Sequence, residues 1–130
     1  MFELDALKKY NNINKDCLEE KILFSNPYEL IKIIFENLHI SLKKSIFWIE
    51  NKNIPMKGRE ISKSISIIES GLIPALNSKI NSSIVDDLKF IYMYSIKTLL
   101  EANIENNVEK LKHVNCIIKN ISSAWKKIKK

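Results

Sequence analysis

Between residues 27 and 50, in the stretch PYELIKIIFENLHISLKKSIFWIE, apolar side chains stand at Leu30, Ile31, Ile34, Phe35, Leu38, Leu42, Ile46 and Ile49. Steps of three and four bring such side chains onto one face of an α-helix, so the spacing predicts a helix over this stretch. Its start is well signed. Asn26 can cap it, Pro27 fits the first helical position where no N–H is needed, and Glu29 sits where a carboxylate can reach back.

The sequence NKNIPMKG, with Pro55 and Gly58, interrupts the pattern, and a second helical run follows through Ile61, Ile65, Ile68, Leu72, Ala75 and Leu76. Gly71 and Pro74 lie inside that run. An interior proline removes a backbone hydrogen bond and clashes with the preceding turn, at about 3 kcal/mol, so this helix is expected to kink or end near residue 73. A polar loop, SKINSS, offers caps at Asn81, Ser82 and Ser83 to a third helix that carries Val85, Leu88, Ile91, Tyr92, Ile96, Leu99 and Ala102. After a short IENN break, Asn106 is placed to cap a fourth helix, with Glu109 three residues on. That helix turns Leu111, Val114, Ile118, Ile121, Trp125 and Ile128 inward.

Four helices of similar length joined by short loops pack most simply as an all-α, antiparallel up-down four-helix bundle, assigned here to residues 25–130. Residues 1–24 hold Leu4, Leu7, Tyr10, Leu18, Ile22 and Leu23 and read as an N-terminal arm or short helix lying on the bundle. The chain of 130 residues is long enough to bury a core without staples, and its 45% hydrophobic content with only 2 Gly and 3 Pro agrees with long helices.

A net charge of +6 raises the question of a nucleic-acid or anionic-lipid partner. Lys is spread along every segment among Glu and Asp, except for Lys126, Lys127, Lys129 and Lys130 at the end, which suit the C-terminal end of a helix. Cys17 and Cys116 have no metal-ligand spacing and read as free thiols of a reducing compartment. The N-terminus, MFELDALKKY, has acidic residues where a signal peptide would be basic, and no run of about 18 apolar residues occurs, so a cytosolic protein without membrane insertion is expected.

Catalysis needs a constellation of groups. His39 and His113 lie on different helices, and no nucleophile elbow, phosphate-cradling loop or paired metal motif is present, so neither an enzyme nor a cofactor is expected. The aromatic residues carry more information. Phe90, Tyr92 and Tyr94 are spaced by two, which on a helix points them in different directions. Tyr92 falls on the apolar stripe, leaving Phe90 or Tyr94 partly exposed as a contact for a partner.

The stretch from 88 to 111, LKFIYMYSIKTLLEANIENNVEKL, is similar to a pattern of the flagellar secretion chaperone family, the flagellin-specific export chaperones. There a Leu-Tyr-x-Tyr helix runs into Leu-x-Glu-Ala-Asn-x-x-Asn-x-Val. The matching residues are Ile91, Tyr92, Tyr94, Leu99, Glu101, Ala102, Asn103, Asn106 or Asn107, and Val108. Ser25, Pro27, Glu29, Leu30 and Phe35 stand where the family has a small-residue turn, Pro-x-Glu-Leu and an aromatic. Tyr10 matches an isolated tyrosine of the arm, Ile54 and Lys57 the start of the second helix, and Trp125 a tryptophan of the last. The chain departs from the family at Phe35-Glu36-Asn37, where Tyr-Asp-Gly is usual, and at Lys97 and Thr98, which replace an arginine pair.

The resemblance implies a cytosolic chaperone that binds the disordered C-terminal segment of flagellin and prevents premature polymerisation before type III flagellar secretion. It also implies contact sites at Tyr10, Phe35, Tyr92, Tyr94, Lys97, Leu100, Glu101 and Asn103. On that reading Tyr94, Lys97 and Leu100 line a groove on the third helix, Glu101 and Asn103 act mainly at the helix end, and the Tyr10 arm lies in or beside the groove. The flagellar export apparatus or a flagellar gene regulator would be further partners. The alternative from another class is a small basic bundle that binds nucleic acid or anionic lipid.

Overall fold

The computed structural model describes residues 27–76 and 82–128. Four helices account for nearly all of them: α1 (Pro27–Glu50), α2 (Ile54–Ile67), α3 (Ser82–Glu105) and α4 (Val108–Ile128). Beyond α2 the chain continues through a π-helical turn (Ile68–Leu72) and a last α-turn (Ile73–Ala75). Asn26, Asn81, Cys17 and the arm with Tyr10 lie outside the described residues.

The helices close into a ring in which α1 packs on α2 and α4, and α3 packs on α4 and α2. Leu38 and Leu42 of α1, Ile61 of α2, Ile68 of the π-turn, Leu99 of α3 and Leu111 and Val114 of α4 meet in the centre with essentially no exposure. Burying each such side chain contributes about 1.5–3 kcal/mol, which makes this shared core the main reason that the four helices hold together.

Both tight turns solve the same problem in the same way. A helix that must reverse direction at once needs its last carbonyls satisfied and the next helix capped. Lys52 and Asn106 take positive φ values of 61° and 52°, which lets the following amide reach back: Asn53 N–H donates to the Trp48 carbonyl and Asn107 N–H to the Ala102 carbonyl. The same two asparagines then cap the next helix, Asn53 Oδ1 accepting from Met56 N–H and Asn107 Oδ1 from Lys110 N–H, both at 3.2 Å. The cap of α4 is therefore Asn107, not Asn106, because Asn106 is used in the left-handed conformation that closes α3.

The disturbance expected near residue 73 arrives one turn earlier. Over Ile68–Leu72 the helix widens, and Ile73 N–H donates to the carbonyl of Ile68, five residues back. The wider turn comes directly before Pro74, which cannot donate, so the chain proceeds to Ala75 instead of stopping. Gly71 lies in this turn because α1 comes close: a Cβ there would stand 3.1 Å from Ile34 Cγ2.

α1 and α2 also approach through small polar side chains. Ser64 Oγ donates to Ser41 Oγ at 3.0 Å, and Ser41 Oγ to the Glu60 carboxyl at 3.1 Å, all in buried surroundings. Ser45 Oγ is satisfied by the Ser41 carbonyl. Each buried oxygen thus keeps a partner, without which it would cost about 1–3 kcal/mol.

Candidate partner-binding surface

Helix α3 carries more apolar side chains than one face can hold. Tyr92, Ile96, Leu99 and Ala102 point into the core, and Ser95 and Thr98 beside them bond back to the carbonyls of Ile91 and Tyr94. A second set, Phe90, Met93, Leu100 and Ile104, recurs at steps of three, seven and four with Lys97 in the gap. That spacing draws another line along the helix. These residues lie in water: Phe90 is 73% exposed and Ile104 82%. Adjacent apolar pairs such as Leu99 and Leu100 are the local sign of this doubling. One of each pair enters the core, and the other faces outward.

Beside this line, α3 and α4 border a cleft of about 230 Å³ lined by Tyr94, Lys97, Thr98 and Glu101 on one side and Glu109, Lys110 and His113 on the other. The Tyr94 hydroxyl lies 3.0 Å from His113 Nε2, and the two rings meet edge to face with centroids 5.8 Å apart. Lys110 Nζ reaches Glu101 at 3.0 Å and Glu105 at 3.2 Å. The hydrogen bond from Lys110 holds the Glu101 carboxyl below its ordinary value, and the same contact raises the Lys110 ammonium. The cleft is a polar, charge-paired wall next to an apolar strip.

Of the residues expected at a contact site, Tyr94, Lys97 and Glu101 come together in this cleft, and Leu100 lies on the adjoining apolar line. Phe35 and Tyr92 do not join them. Each is 3% exposed and belongs to the core. Burial pushes the Tyr92 hydroxyl up to about 12. Asn103, half-buried, serves the fold, since its carbonyl and Oδ1 accept from the buried Lys57 Nζ at 2.9 and 2.7 Å. That ammonium ties α2 to the last turn of α3, where a cation also suits the helix dipole. Met93 and Ile104 were not singled out from the sequence, although their place in the line with Leu100 makes them part of the same surface.

Among the described residues no three of His, Cys, Asp and Glu are grouped to hold a metal, Cys116 is an exposed free thiol, and no helix is long and apolar enough to cross a membrane. Fold and surface together define a helical bundle whose long helix α3 keeps a line of apolar side chains in solvent.

The family model described as flagellar protein FliS matches residues 9–130, and the chain belongs to that family. It is 29% identical over 128 residues to the flagellar secretion chaperone FliS of Salmonella typhimurium, covering 98% of this chain and 93% of the relative. It is 30% identical over 125 residues to the flagellar secretion chaperone FliSB of Pseudomonas aeruginosa, covering 96% of each. With the flagellar secretion chaperone FliS of Escherichia coli the identity is 28% over 109 residues, 84% of this chain and 80% of the relative.

Proposed function

We propose that this protein is a cytosolic flagellar secretion chaperone, that its client is the C-terminal segment of flagellin, and that it holds this segment so that subunits do not polymerise before export. The observation that carries the reading is the outer line of α3, Phe90, Met93, Leu100 and Ile104, left in water beside the cleft that holds Tyr94 and Lys97. A segment that cannot bury its own apolar side when alone gains by laying it along such a line and becoming ordered as it docks. Lys97 interrupts the line with a cation that can pair with a client carboxylate, and Tyr94 offers a ring with a polar tip at its edge. Burial of apolar surface supplies the binding energy, so no nucleotide is needed.

The test mixes the purified protein with flagellin from the same source. A 1:1 complex on size-exclusion chromatography and arrest of filament growth are expected. Replacing Leu100 by Asp or Tyr94 by Ala should weaken binding of the flagellin tail by more than about 1 kcal/mol in calorimetry. Weak salt dependence with a large negative heat-capacity change is expected. A steep fall of affinity with salt would instead favour a polyanion partner for the lysines.

A further inference from the structure

A second apolar surface lies on the other hairpin. On the outer side of α1 and α2 a cleft of about 460 Å³ is lined entirely by residues of these two helices, none from α3 or α4. Its walls are Ile40, Phe47, Trp48 and Met56. Ile40 and Phe47 are more than half exposed although both are large and apolar, and the Phe47 and Trp48 rings stand edge to face at 4.9 Å. Lys43 and Lys44, both exposed, stand at its rim, with no ion-pair partner among the described residues. Glu60, 8% exposed, lies in the floor, where its carboxyl is met among the described residues by the Ser41 hydroxyl alone.

Each of these features restricts the occupant. Ile40 to Phe47 spans seven residues, about 10 Å along the helix, which is two turns and matches the spacing of anchors on one face of a visiting helix. The two rim lysines call for carboxylates on its flanks. A carboxyl group offers two oxygens with several lone pairs, and among the described residues only the Ser41 hydroxyl meets that of Glu60, so the visitor should bring a cationic donor on an apolar stem. An anionic lipid headgroup or nucleic-acid phosphate would satisfy the rim but not the acid beneath it. A second copy docked about a two-fold axis would place lysine rim against lysine rim.

We propose that the α1–α2 cleft docks an amphipathic helix of a second partner protein, with an arginine anchor inserted between the apolar walls toward Glu60 and carboxylates on its flanks facing Lys43 and Lys44. This surface is separate from the α3 line, so the protein would hold a client and the second partner at the same time.

The probe is a fluorescent helical peptide of about 15 residues with Leu, Arg and Leu on one face and Glu on both flanks, titrated into the full-length protein by anisotropy. Binding is expected, about tenfold weaker for Phe47→Glu, whose side chain lies in solvent and whose change spares the core. Binding is also expected to weaken for the double variant Lys43→Glu, Lys44→Glu, and to return when the flanking Glu of the peptide are replaced by Lys. Glu60→Gln should bind the Arg peptide no better than a norleucine version, whereas the unmodified protein prefers Arg. Leu100→Asp should leave peptide binding unchanged, which separates this proposal from the flagellin reading. The proposal is overturned if the peptide does not bind, if Phe47→Glu binds it equally, or if Phe47→Glu abolishes only adsorption to phosphatidylglycerol vesicles or only self-association. It is equally overturned if Phe47→Glu weakens flagellin binding while the peptide remains unbound, because the cleft would then belong to the client's path.

Discussion

The two hairpins of the bundle, α1–α2 and α3–α4, share their turn chemistry and differ in how their helices meet. Both reverse through a residue at positive φ followed by an asparagine that closes one helix and caps the next. Past the turn they part. The α1–α2 seam is closed by buried serines and by Ile34 lying over Gly71, whereas the α3–α4 seam carries exposed ion pairs and the Tyr94–His113 contact at its outer edge. A dry seam makes stability depend on each side chain in it. The wet edge of the α3–α4 seam leaves side chains available to a partner, and on the α1–α2 hairpin only the outer cleft beyond the buried serines does so.

The sharpest way to break this comparison is to remove bulk on each side. Leu42→Ala, at a fully buried site of α1, should destabilise the protein by about 2–5 kcal/mol in urea unfolding. Leu100→Ala, on the exposed line of α3, should stay within about 0.5 kcal/mol. Equal losses would mean that the outer line of α3 is packed in solution. Next in size is the alkaline response of Tyr92. Its hydroxyl ionises at about 12 in the fold against an ordinary 10.0. The unfolded chain therefore loses its proton first, and stability is full below pH 10 and falls as pH rises toward 12. Two pKa units correspond to about 3 kcal/mol. Tyr92→Phe should remove this slope, and a variant that keeps the full alkaline loss would contradict the burial assigned to Tyr92.

Most of the helical frame was legible because the core-facing residues recur at helical spacing. The inner stripe of α3, from Tyr92 to Ala102, could be read directly. What stayed hidden depended on pairs distant in sequence or on a choice between like neighbours. Lys57 and Asn103 are 46 residues apart, and no local pattern shows that one holds the other. Of two adjacent asparagines, 106 and 107, either can cap or adopt a left-handed conformation, and only the register of α4 decides. The exposed line of α3 escaped in part because Met93 and Ile104 look like ordinary core residues until the other face is seen to be full. Phe35 and Tyr92 were expected at the contact surface through family likeness, but periodicity had already placed them on inward stripes, and the inward reading prevailed.

A smaller effect tests the sameness of the turns. Asn53→Ala and Asn107→Ala each remove a side-chain acceptor from a helix start and should each cost about 1 kcal/mol in thermal or urea unfolding. Because the turns share one geometry, the two losses should be alike. A large loss at one site and none at the other would show that the turns only look alike.

The finest distinction concerns Glu101 and Lys110, which lie at the wet edge of the α3–α4 seam. Removing the Lys110 ammonium by Lys110→Met should let the Glu101 carboxyl rise toward its ordinary value of 4.5, since the hydrogen bond from Lys110 is the main cause of its depression. For a carboxylate held low in the fold, the stabilising contribution is present above its ordinary value and is lost as pH falls through its folded one. The raised Lys110 gives the opposite slope, lost only above its ordinary value of 10.5. Both groups are open to solvent and screened, so unfolding curves at neutral pH should hardly move. The carboxyl resonance of Glu101 should shift its titration upward by NMR, and an unmoved titration would mean that another group, Lys97 foremost, sets its charge.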